Sequence, residues 1–245
     1  MQIGRTYGNG KVHRGVAGGY SFAPKGERTA CRMILKAIAE ARRFIYIEDQ
    51  YLVSEEISQN LVLALPTIQH LTILIPHGDI TDMQNPLRGE YGEQVHFRRQ
   101  QFIAPLRLAG GSKVGVFFLS PAGAPGTYVH AKMMVIDDEY AIIGSANLNR
   151  RSLTHDSESI AGIFDTASDS MAKRLRIDLW ATHLNMNTAA GRTSLADGVV
   201  SVKYWFQKPV GVRPPSAHVA DYDENLNVER DVPLLEWNKI DPDGS

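Results

Sequence analysis

Residues 130–147 read HAKMMVIDDEYAIIGSAN, a stretch that predicts two β-strands joined by a short polar turn. The strands are expected at residues 128–137 and 140–143, because each is a mainly apolar run with few helix-favouring features. A third strand is expected at residues 158–164, with no long helical pattern before it. Three strands so close in sequence indicate an antiparallel or mixed part of a sheet.

The preceding residues alternate between helical and strand patterns. Apolar residues recur at three- and four-residue spacing in the helical segments, whereas the strands are short continuous apolar runs. The predicted helices cover residues 27–43, 54–65 and 92–108, and the predicted strands cover residues 44–48, 71–75 and 113–119. Strands that alternate with helices in this way form parallel βαβ units. The fold class is therefore expected to be α/β, with a mixed β-sheet sandwiched between helices.

A last helix is predicted at residues 166–184, and after it the periodic pattern fades. Several prolines and an acidic run then indicate an irregular segment at the surface. We therefore predict one domain over residues 1–185 and an irregular carboxy-terminal extension over residues 186–245, packed on that domain.

The composition is that of an ordinary globular protein, since 43% of the 245 residues are hydrophobic and 22% are charged. The formal net charge is −1, so no overall positive field would attract nucleic acid, and no strong nucleic-acid signal is present. The single cysteine, Cys31, excludes an internal disulfide.

No targeting signal or membrane span is visible in the sequence. The first residues lack the apolar core of a signal peptide, and no apolar run approaches the roughly 18 residues that would span a bilayer. We therefore expect a soluble protein, located in the cytoplasm or peripherally at a membrane.

Polar residues cluster where the two strands of the hairpin begin and end. Alternate residues of a strand share a face, so His130 and Lys132 are expected on one face at the start of their strand. The next strand runs back towards that level and ends at Gly144 and Ser145. Asn147 follows after a bend. These groups are therefore predicted to converge at the open end of the hairpin, where a ligand can reach them.

This set of side chains is suited to cleaving a phosphodiester. A histidine with an ordinary pKa of about 6.5 can attack phosphorus when neutral or protonate a leaving oxygen when charged. A lysine and an amide held on the scaffold can stabilise the charge of the transition state. The segment lacks the acidic cluster of a magnesium or calcium site and the spacing of a zinc site, so no metal or other cofactor is expected.

A carboxylate behind a histidine orients the ring and makes it more basic. The favoured partner for His130 is Glu158, at the start of the next predicted strand, and Asp156 is the alternative. Asp137 is included in the catalytic set, although orienting the turn or the lysine is the favoured role. Ser145 is expected to support the site as a hydrogen-bond donor.

Two further residues are candidates for supporting or contacting the phosphate. Gln50 lies at the end of a predicted strand, where α/β proteins place their sites, although packing at the strand end explains it equally well. Arg151 follows the hairpin and could contact either the phosphate or a partner, or be an ordinary solvated arginine.

The hairpin resembles the signature of the phospholipase D superfamily, H-x-K-x₄-D-x₆-G-S-x-N. Every defined position is matched, by His130, Lys132, Asp137, Gly144, Ser145 and Asn147. Residues 44–52, FIYIEDQYL, are similar to a segment found upstream of the second signature in phospholipases D. Residues 149–158 also look like the lipid-cleaving branch, and the resemblance covers roughly residues 1–185.

The resemblance implies a reaction that needs two signatures. In that superfamily one histidine becomes phosphohistidine and the other acts as general acid and then as base. This chain contains one H-x-K segment, so it looks like the carboxy-terminal half of a two-signature enzyme, with His130 as the acid and base. The expected partners are a phospholipid substrate and a second half, supplied either by a second copy or by a separate amino-terminal half.

Three functional hypotheses follow from the resemblance. The leading one is a phospholipase D-type phosphodiesterase half that hydrolyses or transfers the phosphatidyl group of a phospholipid. The second is a homodimeric nuclease of the same superfamily, which the net charge of −1 disfavours. The third is a non-catalytic remnant or regulatory module that has lost its partner motif.

Overall fold

A computed structural model of the protein describes residues 1–8, 20–77, 89–121, 127–206, 213–214 and 216–224. The described helices are α1 Thr29–Glu40, α2 Glu55–Ala64, α3 Gly89–Gly110, α4 Arg150–Thr154, α5 Met171–His183, α6 Ala189–Ser194 and α7 Gly198–Ser201. The described strands are β1 Gln2–Tyr7, β2 Glu27–Arg28, β3 Phe44–Asp49, β4 His70–Leu74, β5 Val114–Leu119, β6 Lys132–Ile136, β7 Tyr140–Gly144, β8 Glu158–Phe164 and β9 Val219–Asp221.

The described strands form one mixed sheet in the order β2-β1-β8-β7-β6-β3-β4-β5-β9. Strands β3, β4 and β5 are parallel, as expected for strands connected by α2 and α3. Strands β6, β7 and β8 follow one another antiparallel, and β6 joins the parallel part by pairing antiparallel with β3. The predicted mixed sheet is therefore confirmed.

One face of the sheet packs against α1, α2 and α3. In this first core, Ile45 and Ile47 of β3 lie with Ile34 of α1, Leu61 of α2 and Ile103 of α3, and all five are buried. Burial of each such side chain stabilises the fold by about 1.5–3 kcal/mol. The apolar stripes that predicted these helices are thus the surfaces that cover the sheet.

The opposite face packs against α5 and the residues that follow it. Phe44 and Tyr46 of β3 belong to this second core, together with Trp180 of α5 and Trp205. Alternate residues of β3 therefore face opposite sides, and every residue of the strand is buried. Because helices cover both faces of the sheet, the predicted α/β fold class is confirmed.

The hairpin β6–β7 turns through two residues with left-handed backbone. Asp137 and Asp138 have φ of 58° and 64°, and the main-chain N–H of Glu139 donates to the carbonyl of Ile136 at 3.0 Å. This is the geometry of a type I′ turn, whose twist matches that of the two strands. The Asp138 carboxylate also accepts two hydrogen bonds from Arg176 of α5, which anchors the turn to the second core.

Helix α5 begins at Met171 rather than at residue 166. The hydroxyl of Ser170 caps the helix by accepting from the main-chain N–H of Lys173 at 3.0 Å. The Asp165 carboxylate accepts from the N–H of Met171 at 3.1 Å. The hydrogen bond between Asp165 and Met171 holds residues 166–170 in a turn. The helix therefore begins later than the sequence predicts.

Part of the carboxy-terminal extension is more regular than its sequence predicts. Helices α6 and α7 fall in the segment expected to be irregular, and β9 pairs antiparallel with β5 at the edge of the sheet. Trp205 fills the second core without any periodic pattern around it that would have marked it as buried. Residues 225–245 of the predicted extension lie outside the described residues.

None of the helices in the described ranges combines the length and the apolar character that a bilayer crossing requires.

Candidate active site

Three of the predicted residues, His130, Lys132 and Gln50, lie at one edge of the sheet, where β3 ends and β6 begins. Asp49, the last residue of β3, pairs with Lys132, the first residue of β6. The carboxyl ends of the neighbouring parallel strands β4 and β5 lie at the same edge. Ligands of open α/β sheets bind at this kind of edge, so the position suits a functional site.

Lys132 is held in place by two hydrogen bonds. Its ammonium donates to Oε1 of Gln50 at 2.8 Å and to the main-chain carbonyl of His130 at 2.8 Å. Burial lowers the pKa of Lys132, and the nearby charges of Asp49 and Glu158 oppose this shift. The side chain therefore presents a cation with a defined direction.

His130 lies two residues before the start of β6 rather than inside it. The predicted strand at residues 128–137 begins only at Lys132, so alternation along a strand does not place the His130 side chain. The exposed ring lies nearly parallel to that of Tyr128, with ring centroids 6.1 Å apart and planes 23° apart. Burial lowers the pKa of His130, and the neighbouring charge of Lys132 lowers it further.

Gln50 connects these residues through its side-chain amide. Its Oε1 accepts from Lys132, and its Nε2 donates to the hydroxyl of Tyr128 at 2.6 Å. The residue is buried, and both ends of its amide are occupied within the protein. Gln50 therefore supports the site by positioning Lys132 and Tyr128.

Asp49 ties the segment that carries Asn147 to the end of β3. Its carboxylate accepts from the main-chain N–H groups of Leu52 at 2.7 Å, Tyr51 at 2.9 Å and Leu148 at 2.9 Å. Burial raises the pKa of Asp49, whereas these donors lower it because they stabilise the ionised form. The hydrogen bond to Leu148 brings the neighbouring Asn147 to the same edge as Lys132.

Asn147 has a buried side-chain oxygen without a hydrogen bond. Among the described residues, nothing donates to its Oδ1. A buried polar atom of this kind requires an explanation, and a bound ligand or water is the usual one. Because the nitrogen and oxygen of an Asn amide have almost the same shape, either end can occupy this position.

Gly144 is required by the close approach of β7 and β8. A Cβ atom at this position would lie 2.3 Å from the carbonyl oxygen of Ser159 and 2.6 Å from Cα of Ile160. Both contacts are with main-chain atoms, which cannot move aside independently. Gly144 is therefore needed for strand packing, and its place among the residues that bind or support the phosphate stays a prediction.

Glu158 accepts hydrogen bonds from two serines. Ser145 donates to Oε2 at 2.5 Å, and Ser152 donates to Oε1 at 2.7 Å. The described residues contain no hydrogen bond between Glu158 and His130, so the pairing of these two side chains stays a prediction. The predicted supporting role of Ser145 has a defined form here, because its hydroxyl orients the carboxylate.

Arg151 lies in α4 and pairs with Asp156. Its guanidinium donates twice to Oδ1 of that carboxylate, at 3.1 Å and 3.3 Å. Asp156, the alternative partner suggested for His130, is thus bound to Arg151, and its pairing with His130 stays a prediction. The contact between Arg151 and a phosphate stays a prediction.

Asp137 follows the last residue of β6, whereas Lys132 is the first. At the rise per residue of a β-strand, the two residues are about 16 Å apart. The Asp137 carboxylate accepts from the main-chain N–H groups of Arg42 at 2.7 Å, Arg43 at 2.8 Å and Phe44 at 2.8 Å. This residue organises the start of β3, a structural role other than the orientation of the turn or the lysine that the sequence favours. Its place in the catalytic set stays a prediction.

Replacing Asp137 with alanine is expected to lower the free energy of unfolding by about 3 kcal/mol, because three main-chain donors lose their acceptor. Turnover per folded molecule should stay near that of the unchanged protein. Urea unfolding and an activity assay on the same preparation check both parts. A loss of turnover in fully folded protein would support the place of Asp137 in the catalytic set.

Several residues of the site were not predicted from the sequence. Asp49 is next to Gln50 in the segment 44–52, and Tyr128 is two residues before His130, so both had a positional signal. Ser152 lies between the signature and Glu158, and no feature of the sequence marked it as part of the site. In the described part of the chain, no three His, Cys, Asp or Glu residues are grouped closely enough to hold a metal ion.

Residues 34–179 match the family model described as "Cardiolipin synthase, PLD-like domain". These residues make up more than half of the chain and contain the complete signature between His130 and Asn147. The chain therefore belongs to the phospholipase D superfamily, as the sequence resemblance predicts.

Plant phospholipases D are among the curated proteins that are similar to this chain. Phospholipase D alpha 1 of Ricinus communis is 32% identical over 133 residues, which cover 47% of this chain and 16% of that protein. Phospholipase D zeta 1 of Arabidopsis thaliana is 34% identical over 142 residues, which cover 52% of this chain and 12% of that protein. The matched part is thus a sixth or less of the length of these relatives.

A solved structure with a similar fold is that of phosphatidylserine synthase from Haemophilus influenzae Rd KW20. The TM-score is 0.53 with 15% sequence identity, and the match covers 79% of this chain and 44% of that chain. At this level of identity the comparison supports the fold alone.

The ionisation of His130 can be tested directly. Its pKa is expected to lie below the ordinary value of about 6.5, so the neutral ring predominates at pH 7. The variant Lys132→Met should raise this pKa, because it removes a neighbouring positive charge. Titration of the imidazole by NMR measures both values. An unchanged pKa in the variant would mean that the two side chains do not interact.

Proposed function

We propose that this chain is one half of a phospholipase D-type phosphodiesterase, which hydrolyses a phospholipid headgroup ester or transfers the phosphatidyl group to another alcohol. The observation that carries the proposal is that the Lys132 ammonium binds the side chain of Gln50 and the main-chain carbonyl of His130 at the ends of β3 and β6. This fixed cation lies near enough to the titratable ring of His130 to lower its pKa, in a chain of this superfamily.

The reaction uses two histidines, one from each half. A neutral histidine attacks phosphorus, and the bond between phosphorus and the headgroup oxygen breaks. The other histidine donates its proton to that oxygen, which releases the alcohol and leaves a phosphohistidine. The second histidine then takes a proton from water or an alcohol, whose oxygen attacks phosphorus and displaces the first histidine. If the other half is a separate chain, His130 acts as the acid and then as the base. In a homodimer, the His130 of one copy attacks phosphorus and the His130 of the other copy acts as the acid and the base.

Lys132 and Asn147 stabilise the charge that develops on the non-bridging oxygens. The ammonium of Lys132 keeps its direction through Gln50, so little reorganisation is needed during the reaction. The buried amide end of Asn147 that lacks a partner among the described residues is available to a phosphate oxygen when it presents its NH₂ group. Both groups favour the transition state because its oxygens carry more negative charge.

The second half packs against a part of the sheet that no helix of the described residues covers. Ile3 of β1, Ala161 of β8 and Ile143 of β7 are register neighbours on the face that carries the second core. Ile3 is 50% exposed and Ile143 is 36% exposed, which is unusual for isoleucines in the middle of a sheet. This surface continues to Ser145 at the edge of the site, so a partner that covers it would also reach the substrate.

The proposed function is tested by comparing two substrates. The protein, alone and after addition of a candidate second half, is assayed on phosphatidylcholine vesicles and on plasmid DNA, with EDTA in both assays. Release of choline and formation of phosphatidate would support the proposal. Cleavage of the plasmid alone would establish the nuclease hypothesis instead.

The mass of the species in solution separates the possible partners. A dimer that is active by itself would identify a second copy as the other half, whereas activity that appears only on mixing would identify a separate amino-terminal half. A monomer without activity on either substrate, under all mixing conditions, would overturn the proposal in favour of a non-catalytic module.

A further inference from the structure

A buried arginine lies directly behind the candidate site. Arg99 of α3 is 0% exposed, and its guanidinium donates to three main-chain carbonyls. The acceptors are Gln50 at 2.7 Å, Tyr51 at 2.8 Å and Pro76 at 2.8 Å. The ring of Tyr222 packs against the guanidinium, 5.8 Å from its centre.

These hydrogen bonds join the ends of two neighbouring strands. Gln50 and Tyr51 follow β3, and Pro76 follows β4, which is parallel to β3. A planar guanidinium carries donors in several fixed directions, so one side chain can hold carbonyls from two separate loops. Arg99 therefore fixes the main chain at the edge of the sheet where the site lies.

The burial of this cation is costly. Within the described part of the chain, no carboxylate pairs with Arg99, whereas Arg107 on the same helix pairs with Glu224 at 2.9 Å. A buried charge without a counterion loses hydration that neutral acceptors restore only in part. Departures from local rules of this kind are concentrated at functional sites. The cost therefore indicates a role beyond packing.

The connection from Arg99 to the reacting groups passes through one residue. Gln50 accepts from Arg99 with its main-chain carbonyl and from Lys132 with its side-chain oxygen, both within 2.8 Å. The other end of the same amide holds Tyr128, whose ring lies against His130. A shift of the Gln50 main chain would thus change the position of both signature residues.

We propose that Arg99 is a positioning residue of the reaction: by holding the Gln50 main chain, it fixes the Gln50 amide and hence the direction of the Lys132 ammonium. Arg99 itself does not reach the substrate. The inference rests on the proposed function for its effect on turnover, but the arrangement of the side chains can be tested without it.

The first test is a double-mutant cycle on kcat. The variants are Arg99→Lys, which keeps the charge and loses the planar fork, Gln50→Ala, and the combination of the two. Each single variant is expected to lower kcat by about 10- to 100-fold. The combined variant should lose no more than the larger single effect, because both changes break the same connection. Effects that multiply would overturn the proposal.

The matched control is Arg107→Lys on the same helix. Arg107 binds Glu224 and the carbonyl of Tyr222, and it makes no hydrogen bond to Gln50. Its replacement should leave kcat within about twofold, even where it lowers the melting temperature as much as Arg99→Lys does. An equal loss of kcat in the two arginine variants would reduce Arg99 to a structural role. If Arg99→Lys does not fold, Arg99→Gln keeps a donor for the carbonyls and replaces it in the cycle.

The second test does not require activity. The imidazole of His130 is titrated by NMR in the same set of variants. Release of Lys132 should move the pKa of His130 towards its ordinary value by the same amount in Arg99→Lys, Gln50→Ala and the combination, and not in Arg107→Lys. A shared shift in a protein without turnover would support the positioning role while the proposed function fails. A His130 pKa that Arg99→Lys leaves unchanged would overturn the positioning role itself.

Discussion

Replacement of His130 with alanine is expected to lower turnover of a phosphodiester by about 10³-fold or more, since the ring supplies proton transfer or the nucleophile. Binding of a phosphate analogue should persist, because Lys132 and Asn147 remain. The fold should be unaffected, since the ring is exposed and forms no hydrogen bond to another described side chain. Initial rates on phosphatidylcholine vesicles and calorimetric binding of vanadate or phosphate measure the two effects separately.

A matched histidine supplies the control for this prediction. His218 lies in the segment before β9 and donates its main-chain N–H to the carbonyl of His183, and among the described residues it makes no hydrogen bond to His130, Lys132 or Gln50. His218→Gln should therefore retain full turnover. Undiminished activity of His130→Ala would remove the proposed site, and loss of phosphate binding in that variant would mean that Lys132 and Asn147 do not form the anion pocket by themselves.

Replacement of Asp138 with alanine is expected to lower the free energy of unfolding by about 3–5 kcal/mol, because it leaves a buried arginine without its partner. Arg176 is 0% exposed and donates to both carboxylate oxygens of Asp138, at 2.6 Å and 3.0 Å. It also donates to the carbonyl of Leu195 at 3.0 Å, and the rings of Trp180 and Phe44 lie 4.8 Å and 5.7 Å from the guanidinium. None of these groups carries a negative charge. Urea unfolding followed by tryptophan fluorescence provides the measurement.

Helix α5 also carries an ion pair at the protein surface, which serves as the control for Asp138→Ala. Asp178 of α5 pairs with Arg192, and both side chains are substantially exposed. Asp178→Ala should cost less than about 1 kcal/mol, because solvent screens an exposed pair and hydrates the remaining charge. Similar losses in the two variants would show that burial of Arg176 does not determine the importance of Asp138.

The two neighbouring aspartates of the turn show how position decides a role. Asp137 is a defined residue of the signature, whereas Asp138 is not, yet both stabilise the fold from the same type I′ turn. Asp137 binds the main chain before β3, and Asp138 binds α5 across the second core. Sequence spacing identifies the first residue, but the partners of both lie about 40 to 95 positions away and are brought close only by folding.

Only part of the candidate site could be predicted from the sequence, because several of its contacts join residues that are far apart along the chain. His130, Lys132 and Asn147 are close in sequence, and the hairpin brings the chain back towards its starting level. Their convergence stays a prediction, because His130 precedes β6 and the alternation of a strand does not place its ring. Gln50 was among the predicted residues, but its two hydrogen bonds were not. The described residues show Ser145 and Ser152 as the donors to Glu158, and its pairing with His130 stays a prediction.

The sequence by itself determined the α/β class, the order of the helices and strands from α1 to α5 other than the short helix α4, and membership of the phospholipase D superfamily. These depend on periodicity and on spacing within short segments, which the chain carries locally. Only the tertiary structure decided that Arg99 lies behind Gln50, that Asp137 faces away from the site, and that β9 and Trp205 complete the sheet and the second core. Each of these depends on hydrogen bonds or apolar contacts between distant segments, and such partners are chosen by packing in three dimensions rather than by any local pattern.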